Sequence, residues 1–275
     1  MELELKKECL DTYELGEPQT LTQEETAETI VPDYCPDIAR IISAEGVVCL
    51  HGGTEQDGVT GTVRVTVLYT PENESGVRAL EFAMPFSAQG EGLAGCAHVV
   101  VETEIELLES RMLNPRKIFT RCKLVTHLAG CRKVCLTISS DAETDPALLV
   151  EKRCCGQTVS LLRQVAEKDL TFSETMSLSL GREGAAELLH CRANGIVTET
   201  KAIGNKLIFK GVFLVSALYR TIGGQLASAS AELPFSQIME TDSTEENTQV
   251  SMRLRITGTD IQIDGSDDEG RQLSV

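Results

Sequence analysis

Two stretches of the sequence are near copies of each other, 150 residues apart. The segment GTVRVTVLY (61–69) matches GVFLVSALY (211–219), at an offset of 211 − 61 = 150. Two further pairs lie in register at an offset of 149: EGVV (45–48) with NGIV (194–197), and MPFS (84–87) with LPFS (233–236). One residue fewer in a hairpin loop accounts for the change of offset. Because the three matches keep one order and spacing, the sequence predicts two copies of one folding unit.

Apolar and polar residues alternate within both copies, which is the pattern of a strand with one face in a core. The residues that share this face are Val63, Val65, Val67 and Tyr69 in the first copy, and Phe213, Val215, Ala217 and Tyr219 in the second. The turn-forming stretches PENESG (71–76) and TIGG (221–224) follow. The next alternating strands run Leu80, Phe82, Met84, Phe86 and Ala229, Ala231, Leu233, Phe235. Each contains a proline, Pro85 or Pro234, which indicates an edge strand.

A third strand is predicted where an apolar stripe, Val99, Val101, Ile105 and Leu107, alternates with glutamates; its counterpart is Val250, Met252, Leu254 and Ile256. Charged side chains opposite an apolar stripe indicate an antiparallel sheet with one solvated face. The sequence therefore predicts a mainly β fold, two tandem copies of an antiparallel β-sandwich or barrel-like module. We expect the first module, with an N-terminal lead-in, over residues 1–160, and the second, truncated at its C-terminus, over residues 161–275.

Each copy is also expected to contain one short helix. Ile38, Ile41 and Ile42 have the i, i+3, i+4 spacing of a helix face, and Gly46 follows as a stop signal. The second copy repeats this spacing in Ala185, Leu188 and Leu189, ahead of Gly195. The acidic stretch 19–28 is expected to be solvated.

The motif VPDYCPD (31–37) precedes the first predicted helix and has two interpretations. In the structural one, Pro36 is the first helical residue, Asp37 complements the helix dipole, and Asp33 or Cys35 caps the helix. The alternative is that Asp33 and Asp37 bind a hard cation, but such a site needs several more oxygen ligands than the nearby sequence offers. We prefer the structural interpretation.

A second candidate metal site consists of cysteines and a histidine that lie close together in the sequence: Cys122, His127, Cys131 and Cys135. In a strand Cys122 and His127 point to opposite faces, and the spacing is not that of a zinc knuckle. Buried thiols that act as small apolar residues are the better interpretation. We expect no catalytic site, no metal and no cofactor, so the chain is predicted not to be an enzyme.

Composition restricts the environment and the partners. The formal net charge of the 275-residue chain is −17, which argues against nucleic-acid binding and against direct insertion into an anionic membrane. The sequence contains no run of 18 apolar residues, and its acidic first residues do not resemble a secretory signal. A cytoplasmic location is expected, and the ten cysteines are then expected to be free thiols.

Four segments together resemble the SPOCS domain family of endospore-forming Firmicutes: IVPDYCPDIARII, LYTPENESGVRALEFAMPFS, LNPRKIFTRCKL and KAIGNKLIFKGVFLVSALY. The resemblance spans roughly residues 25–275. Proteins of this family are similar to stage VI sporulation protein D and its clostridial counterpart, which help to attach and encase the spore coat. The positions that match the family signature, which we interpret as fold determinants, are Pro32, Asp33, Pro36, Asp37, Asn114, Arg116, Asn205 and Lys206.

The resemblance implies a non-enzymatic scaffold in the cytoplasm of the mother cell, at the forespore surface. Its implied partners are spore coat proteins, in particular the coat-basement ATPase stage IV sporulation protein A. No LysM module follows the matched region, so the partner binding of that module cannot be transferred. DDEGRQLSV (267–275) aligns Arg271 with Arg116, and we expect a longer native chain that continues into more strands. The alternative function is a small-ligand or carbohydrate-binding β module of the spore envelope, which the absence of tryptophan disfavours.

Overall fold

The computed structural model describes residues 4–51, 58–143, 151, 153, 156, 158–178, 183–242, 248–264 and 271–275. These residues form strands and connecting segments and no helix, so the predicted mainly β class is confirmed. The strands are β1 Glu4–Leu15, β2 Gln19–Ile30, β3 Ile38–His51, β4 Gly58–Pro71, β5 Arg78–Gln89, β6 His98–Asn114, β7 Lys117–Glu143, β8 Thr175–Ser177, β9 Ala185–Ile203, β10 Lys206–Thr221, β11 Leu226–Glu240, β12 Gln262–Ile263 and β13 Gln272–Ser274. We call β1–β7 the first unit, and the described residues between 158 and 275 the second unit.

The first unit is a sandwich of two antiparallel sheets. One sheet is the meander β3-β4-β5, in which β4 is central. In the other sheet β7 is central, because Leu128 pairs with Gln19 of β2 on one side and with Val101 of β6 on the other. Strands β1 and β2 lie end to end on the same side of β7, separated by residues 16–18. Every other strand of this sheet, which we call the outer sheet, therefore pairs with β7.

The core of the first unit lies between these sheets. The predicted inner face of β4 is confirmed, since Val63, Val67 and Tyr69 are fully buried. They meet the inward side chains of β7, of which Ile118 and Leu124 are also fully buried. Burial of one such aliphatic side chain stabilises a fold by roughly 1.5–3 kcal/mol, so this aliphatic face is the main source of stability.

The second unit repeats the meander. Strands β9, β10 and β11 pair in the order β11-β10-β9, and the predicted inner face of β10 is buried in a second core. Phe213 and Phe235 stack here with ring centroids 4.6 Å apart. The opposite layer consists of the segments 158–174 and 248–261 with the short strands β8, β12 and β13. The boundary predicted at residue 160 stays a prediction.

A glycine that faces a phenylalanine ring occurs at the same position in both copies, and its packing explains why this pair of residues is repeated. Gly61 pairs with Phe86 across the β4–β5 ladder, and Gly211 pairs with Phe235 across β10–β11. A Cβ atom at Gly61 would lie 2.5 Å from the Phe86 ring, and one at Gly211 would lie 2.6 Å from the Phe235 ring. Only glycine leaves room for the ring, which in turn covers the exposed backbone of the glycine.

Both predicted helices are wrong, because Ile38–His51 and Ala185–Ile203 are strands. Strand β3 has irregular register between Ile38 and Arg40 and again between Ile41 and Ser43. Strand β9 has register shifts at its matching end, opposite Leu218/Tyr219 and Arg220/Thr221 of β10. Each bulge adds one residue and resets the alternation, so inward residues fall at the i, i+3 spacing that a helix would show. Gly46 and Gly195 end no helix.

Three smaller expectations also need correction. Residues 19–28 belong to strand β2, whose side chains alternate between half-buried and exposed. A bulge between Ile105 and Leu107 turns Leu107 outward and places Leu108 against the core. Cys9 and Cys135, on the paired strands β1 and β7, form a disulfide with Cα atoms 5.6 Å apart, so the prediction that every thiol is free is wrong for this pair.

Candidate protein-binding surfaces

The VPDYCPD loop, which connects β2 to β3, is held by one arginine from the turn of the β6–β7 hairpin. The Nη1 atom of Arg116 donates to the carbonyl of Cys35 at 2.8 Å and to Asp37 Oδ1 at 3.0 Å. Its Nη2 atom donates to the carbonyl of Val31 at 2.9 Å and to Asp33 Oδ1 at 3.2 Å. The fork of the guanidinium thus binds both aspartates and two main-chain carbonyls at once, a geometry that lysine cannot reproduce. We call this group the Arg116 clamp.

The clamp replaces the helix-capping roles that were predicted for Asp33, Cys35, Pro36 and Asp37. Since Ile38 begins a strand, these residues cap no helix. Backbone hydrogen bonds from Val31 N to the carbonyl of Arg116, and from Ile38 N to the carbonyl of residue 115, fix both ends of the loop. The carbonyl of Pro36 accepts a hydrogen bond from the buried Tyr69 hydroxyl at 3.3 Å.

The remaining signature residues lie in two hairpin turns. Asn114 and Lys117 close the β6–β7 hairpin, and Asn114 Oδ1 accepts a hydrogen bond from the backbone N–H of Arg116 at 2.9 Å. In the second unit Ile203 pairs with Lys206 around the turn residues Gly204 and Asn205, with Gly204 at φ +60°. The structure therefore brings together the signature residues of the first unit and leaves Asn205 and Lys206 in a separate turn.

The clamp presents an exposed aromatic side chain. Tyr34 lies at the tip of the loop between the two aspartates, and 88% of its surface is exposed. Ile30, which precedes the loop, is 71% exposed, and Leu113, which precedes the clamp hairpin, is 45% exposed. A rigidly held tyrosine beside apolar residues has the composition of a protein-binding hot spot. Sequence reasoning missed Tyr34, although its position inside a motif of loop-forming residues was an available signal.

The outer face of the β2-β7-β6 sheet is a second candidate surface. Arg121 and Lys123 of the central strand bind Glu24 of β2 and Glu106 of β6, at 2.5 Å and 2.9 Å. Two more glutamates of β6, Glu104 and Glu109, are exposed on the same strand, whereas Glu102 binds Arg253 of the second unit. Because acids outnumber bases along β6, this face would attract a basic surface.

Two backbone hydrogen bonds beside the Arg116 clamp have counterparts in the second unit. Leu178 N donates to the carbonyl of Arg271, as Val31 N donates to that of Arg116. Ile222 N donates to the carbonyl of Gly184, as Glu72 N donates to that of Asp37. The alignment of Arg271 with Arg116 therefore has a structural basis, while the position of Asp37 holds a glycine.

A family model matches the part of the chain that contains the β9-β10-β11 meander. Residues 185–264 match the family model described as SipL, SPOCS domain. This range of the chain is similar to a SPOCS domain. The resemblance that the motifs indicated is confirmed for this range, which covers most of the second unit. No curated protein and no solved structure matches the sequence.

Four cysteine side chains of the described residues lie in surroundings that disfavour the thiolate. Burial raises the pKa of Cys122 to about 11 and that of Cys191 to about 11, and it also raises the pKa of Cys49 and Cys131. A raised pKa disfavours the thiolate that nucleophilic or metal-binding chemistry needs. His127 instead bonds the Thr20 hydroxyl at 3.0 Å on the outer face.

Neither a metal site nor a membrane helix is found in the described ranges. They hold no group of three or more histidine, cysteine, aspartate or glutamate side chains placed to bind a metal ion. They also include no helix that could cross a membrane. Asp33 and Asp37, the residues of the alternative cation site, face the Arg116 guanidinium instead.

Proposed function

We propose that this chain is a non-enzymatic, protein-binding scaffold of endospore coat assembly. The match of residues 185–264 to the SPOCS domain model supports a sporulation-associated role. In this proposal it acts in the mother cell, at the forespore surface, and binds coat morphogenetic proteins. The first partner to test is the coat-basement ATPase, stage IV sporulation protein A.

The observation that carries the proposal is the exposure of Tyr34 on a loop that the rest of the unit holds rigid. A hot-spot residue contributes most when it loses little conformational freedom on binding. The loop of Tyr34 is fixed by four guanidinium hydrogen bonds and by backbone bonds at Val31 and Ile38. The Tyr34 side chain is not part of the core, so packing of the core does not explain why a large aromatic residue stands at this position.

The charge of the chain supports the same function. The acidic row on β6 lies on the sheet that also carries the clamp, so one partner with a basic rim could meet both. Rim charges of this kind mainly accelerate association, and their effect falls with added salt. We therefore expect the association rate to fall as salt rises, while the contribution of Tyr34 persists.

The test is a binding measurement between the immobilised chain and purified stage IV sporulation protein A. Tyr34→Ala is expected to weaken binding at least tenfold, because loss of a hot-spot side chain costs about 1.4 kcal/mol or more. Ile222→Ala is the matched control, since Ile222 is 65% exposed but lies on a turn of the second unit. We expect this control to bind like the wild type.

Two results would contradict the proposal. One is the absence of binding to this partner and to other coat proteins by the folded wild-type chain. The other is an equal affinity of wild type and Tyr34→Ala, which would remove the assigned surface. Binding to peptidoglycan fragments without binding to coat proteins would favour the carbohydrate-binding alternative.

A further inference from the structure

The two meanders differ in the face that points away from their cores, which we call the back face. At matching positions of the central strands, β4 places Thr62 and Arg64 on this face, whereas β10 places Val212 and Leu214 there. Leu214 is 36% exposed, and Ile196, which pairs with Val212 from β9, is 44% exposed. The back face is therefore polar in the first unit and apolar at its centre in the second.

The back face of the first meander is a contact between the two units of the chain. The Arg64 guanidinium donates a hydrogen bond to the carbonyl of Thr259 at 3.2 Å. Glu45 lies on the same face, since it pairs with Thr66 of β4, and its Oε2 atom is 3.1 Å from His190 Nε2. The polar residues of this face thus have partners within the chain.

The corresponding rows of the second meander form an open depression of about 540 Å³. Leu214 lies at its centre, where it pairs with Asn194 of β9 on one side and with Glu232 of β11 on the other. Arg192 lines the depression one row farther along β9. Neither Arg192 nor Glu232 makes an ion pair with another residue that the structure describes. The depression therefore combines an apolar centre with a base on one edge strand and an acid on the other.

This arrangement of charges is self-complementary. A twofold axis along β10 places β9 of a second copy over β11 of the first, and β11 of the second copy over β9. Arg192 of each copy then lies one row, about 7 Å along the strand, from Glu232 of the other, which these two long side chains span. Val212 and Leu214 meet their own counterparts at the axis. Sheets that pack face to face lie about 10 Å apart, and interdigitated apolar side chains fill the space between them.

We propose that the back face of the β9-β10-β11 meander binds the same face of a second copy of this chain, in a dimer with twofold symmetry. The apolar centre drives association, and the two Arg192–Glu232 pairs fix the orientation of the copies. A twofold contact of this kind is closed, so it stops at two copies. The formal charge of −17 on each chain opposes association at long range, but about 0.15 M salt screens this repulsion over about 8 Å. The inference does not depend on the proposed function, because it requires no other protein.

The test is sedimentation equilibrium of the whole 275-residue chain over a range of concentrations at physiological salt. We expect a reversible equilibrium between monomer and dimer. Leu214→Arg introduces the residue that the first unit carries at this position, so the meander is expected to fold, and it places two like charges at the axis. We expect this variant to raise the dissociation constant about tenfold or more. Ile222→Arg is the matched control, since Ile222 is 65% exposed on a turn of the same unit, and it is expected to associate like the wild type.

A charge reversal tests the orientation of the two copies. Arg192→Glu is expected to weaken association, because it places two carboxylates at each edge of the contact. The double variant Arg192→Glu, Glu232→Arg is expected to restore association, because the pairs form again with their signs exchanged. The melting temperature of each variant shows that the meander is intact.

Four results would overturn the inference. They are a chain that stays monomeric at every concentration, an unchanged dissociation constant in Leu214→Arg, an equal loss of association in Ile222→Arg, and no recovery in the double variant. A monomeric chain that binds a coat protein through this face, with binding lost in Leu214→Arg, would assign the face to that partner instead of a second copy. The proposed function is judged separately: it survives if no dimer forms while coat proteins bind, and it fails if the dimer forms and no coat protein binds.

Discussion

Arg116→Ala, in the turn of the β6–β7 hairpin, is expected to destabilise the first unit more than substitution of any charged residue on β7. The guanidinium donates four hydrogen bonds, two of them to the carbonyls of Val31 and Cys35. A hydrogen bond from a charged donor contributes about 1.5–3 kcal/mol when it is shielded from water. The side chain of Arg116 is 34% exposed, so water replaces part of each lost bond.

The aspartates add less than the carbonyls. The carboxylate of Asp33 is fully exposed and that of Asp37 is 43% exposed, and ion pairs in such positions contribute about 0–1 kcal/mol each. With roughly 1 kcal/mol for each carbonyl bond, the expected loss is about 2–3 kcal/mol in the free energy of unfolding. For a unit of this size the loss corresponds to a decrease of about 5–10 °C in Tm.

Differential scanning calorimetry of the whole chain measures this loss, and amide exchange over residues 31–38 locates it. Arg121→Ala is the matched control, because Arg121 lies on β7, which follows the turn of Arg116, and makes one exposed ion pair, with Glu24. We expect the control to leave the free energy of unfolding nearly unchanged, because an exposed ion pair contributes little. If both variants melted at the same temperature, or if exchange over 31–38 were unchanged in Arg116→Ala, the clamp would not be a stabilising element.

Two further predictions concern the cores. Gly61→Ala is expected to lower stability by about 1–3 kcal/mol in thermal unfolding, because its Cβ would lie 2.5 Å from the Phe86 ring, whereas Gly156→Ala, with no atom within 4 Å, is expected to be neutral. The Cys122 thiol ordinarily releases its proton near pH 9, and folding raises its pKa to about 11. Its contribution to stability is therefore complete below pH 9 and is lost as the pH rises towards 11. The wild type should therefore lose stability relative to Cys122→Ala in this window, as measured by denaturant titrations at a series of pH values, and a difference in stability that stays constant with pH would refute the assignment.

The sequence is sufficient to predict the strands that alternate strictly. In β4 and β10 every second residue is apolar, and Val63, Val65, Phe213 and Val215 face the cores as the period of two requires. The repeat adds independent support, because Gly61 and Gly211 match and each makes room for a phenylalanine of the neighbouring strand. Period and repeat are local properties, and they could be read without knowledge of the tertiary structure.

The two wrong helix predictions and the wrong inward residue of β6 have one physical cause, which is the β-bulge. A bulge inserts one residue, so Ile38 and Ile41 both face inward although three positions separate them. The same effect moved the inward position from Leu107 to Leu108 in β6. A single sequence does not show whether an i, i+3 spacing arises from a helix turn or from a bulged strand. The structure distinguishes the two cases, because residues 38–51 form backbone hydrogen bonds to one edge of β4 and are therefore a strand.

The Arg116 clamp could not be predicted for a different reason. Its guanidinium and the carbonyls it binds are separated by more than 80 residues, since Arg116 donates to Cys35 and Val31. Capping of a helix by Asp33 and Asp37 was a local explanation that accounted for the same residues. The available signal was the alignment of Arg116 with Arg271, which marked an arginine at the same hairpin of both copies.

Comparison of the two units separates residues that serve folding from residues that are available for binding. The Gly61–Phe86 pair and Tyr69 recur in the second unit, as Gly211–Phe235 and Tyr219, and these phenylalanine and tyrosine side chains are buried in both cores. The sequence of the loop that carries Tyr34 is not repeated, since Gly184 stands at the position of Asp37. The same meander forms in both units, so its folding does not depend on the sequence of this loop, and selection on binding can shape the clamp loop of the first unit.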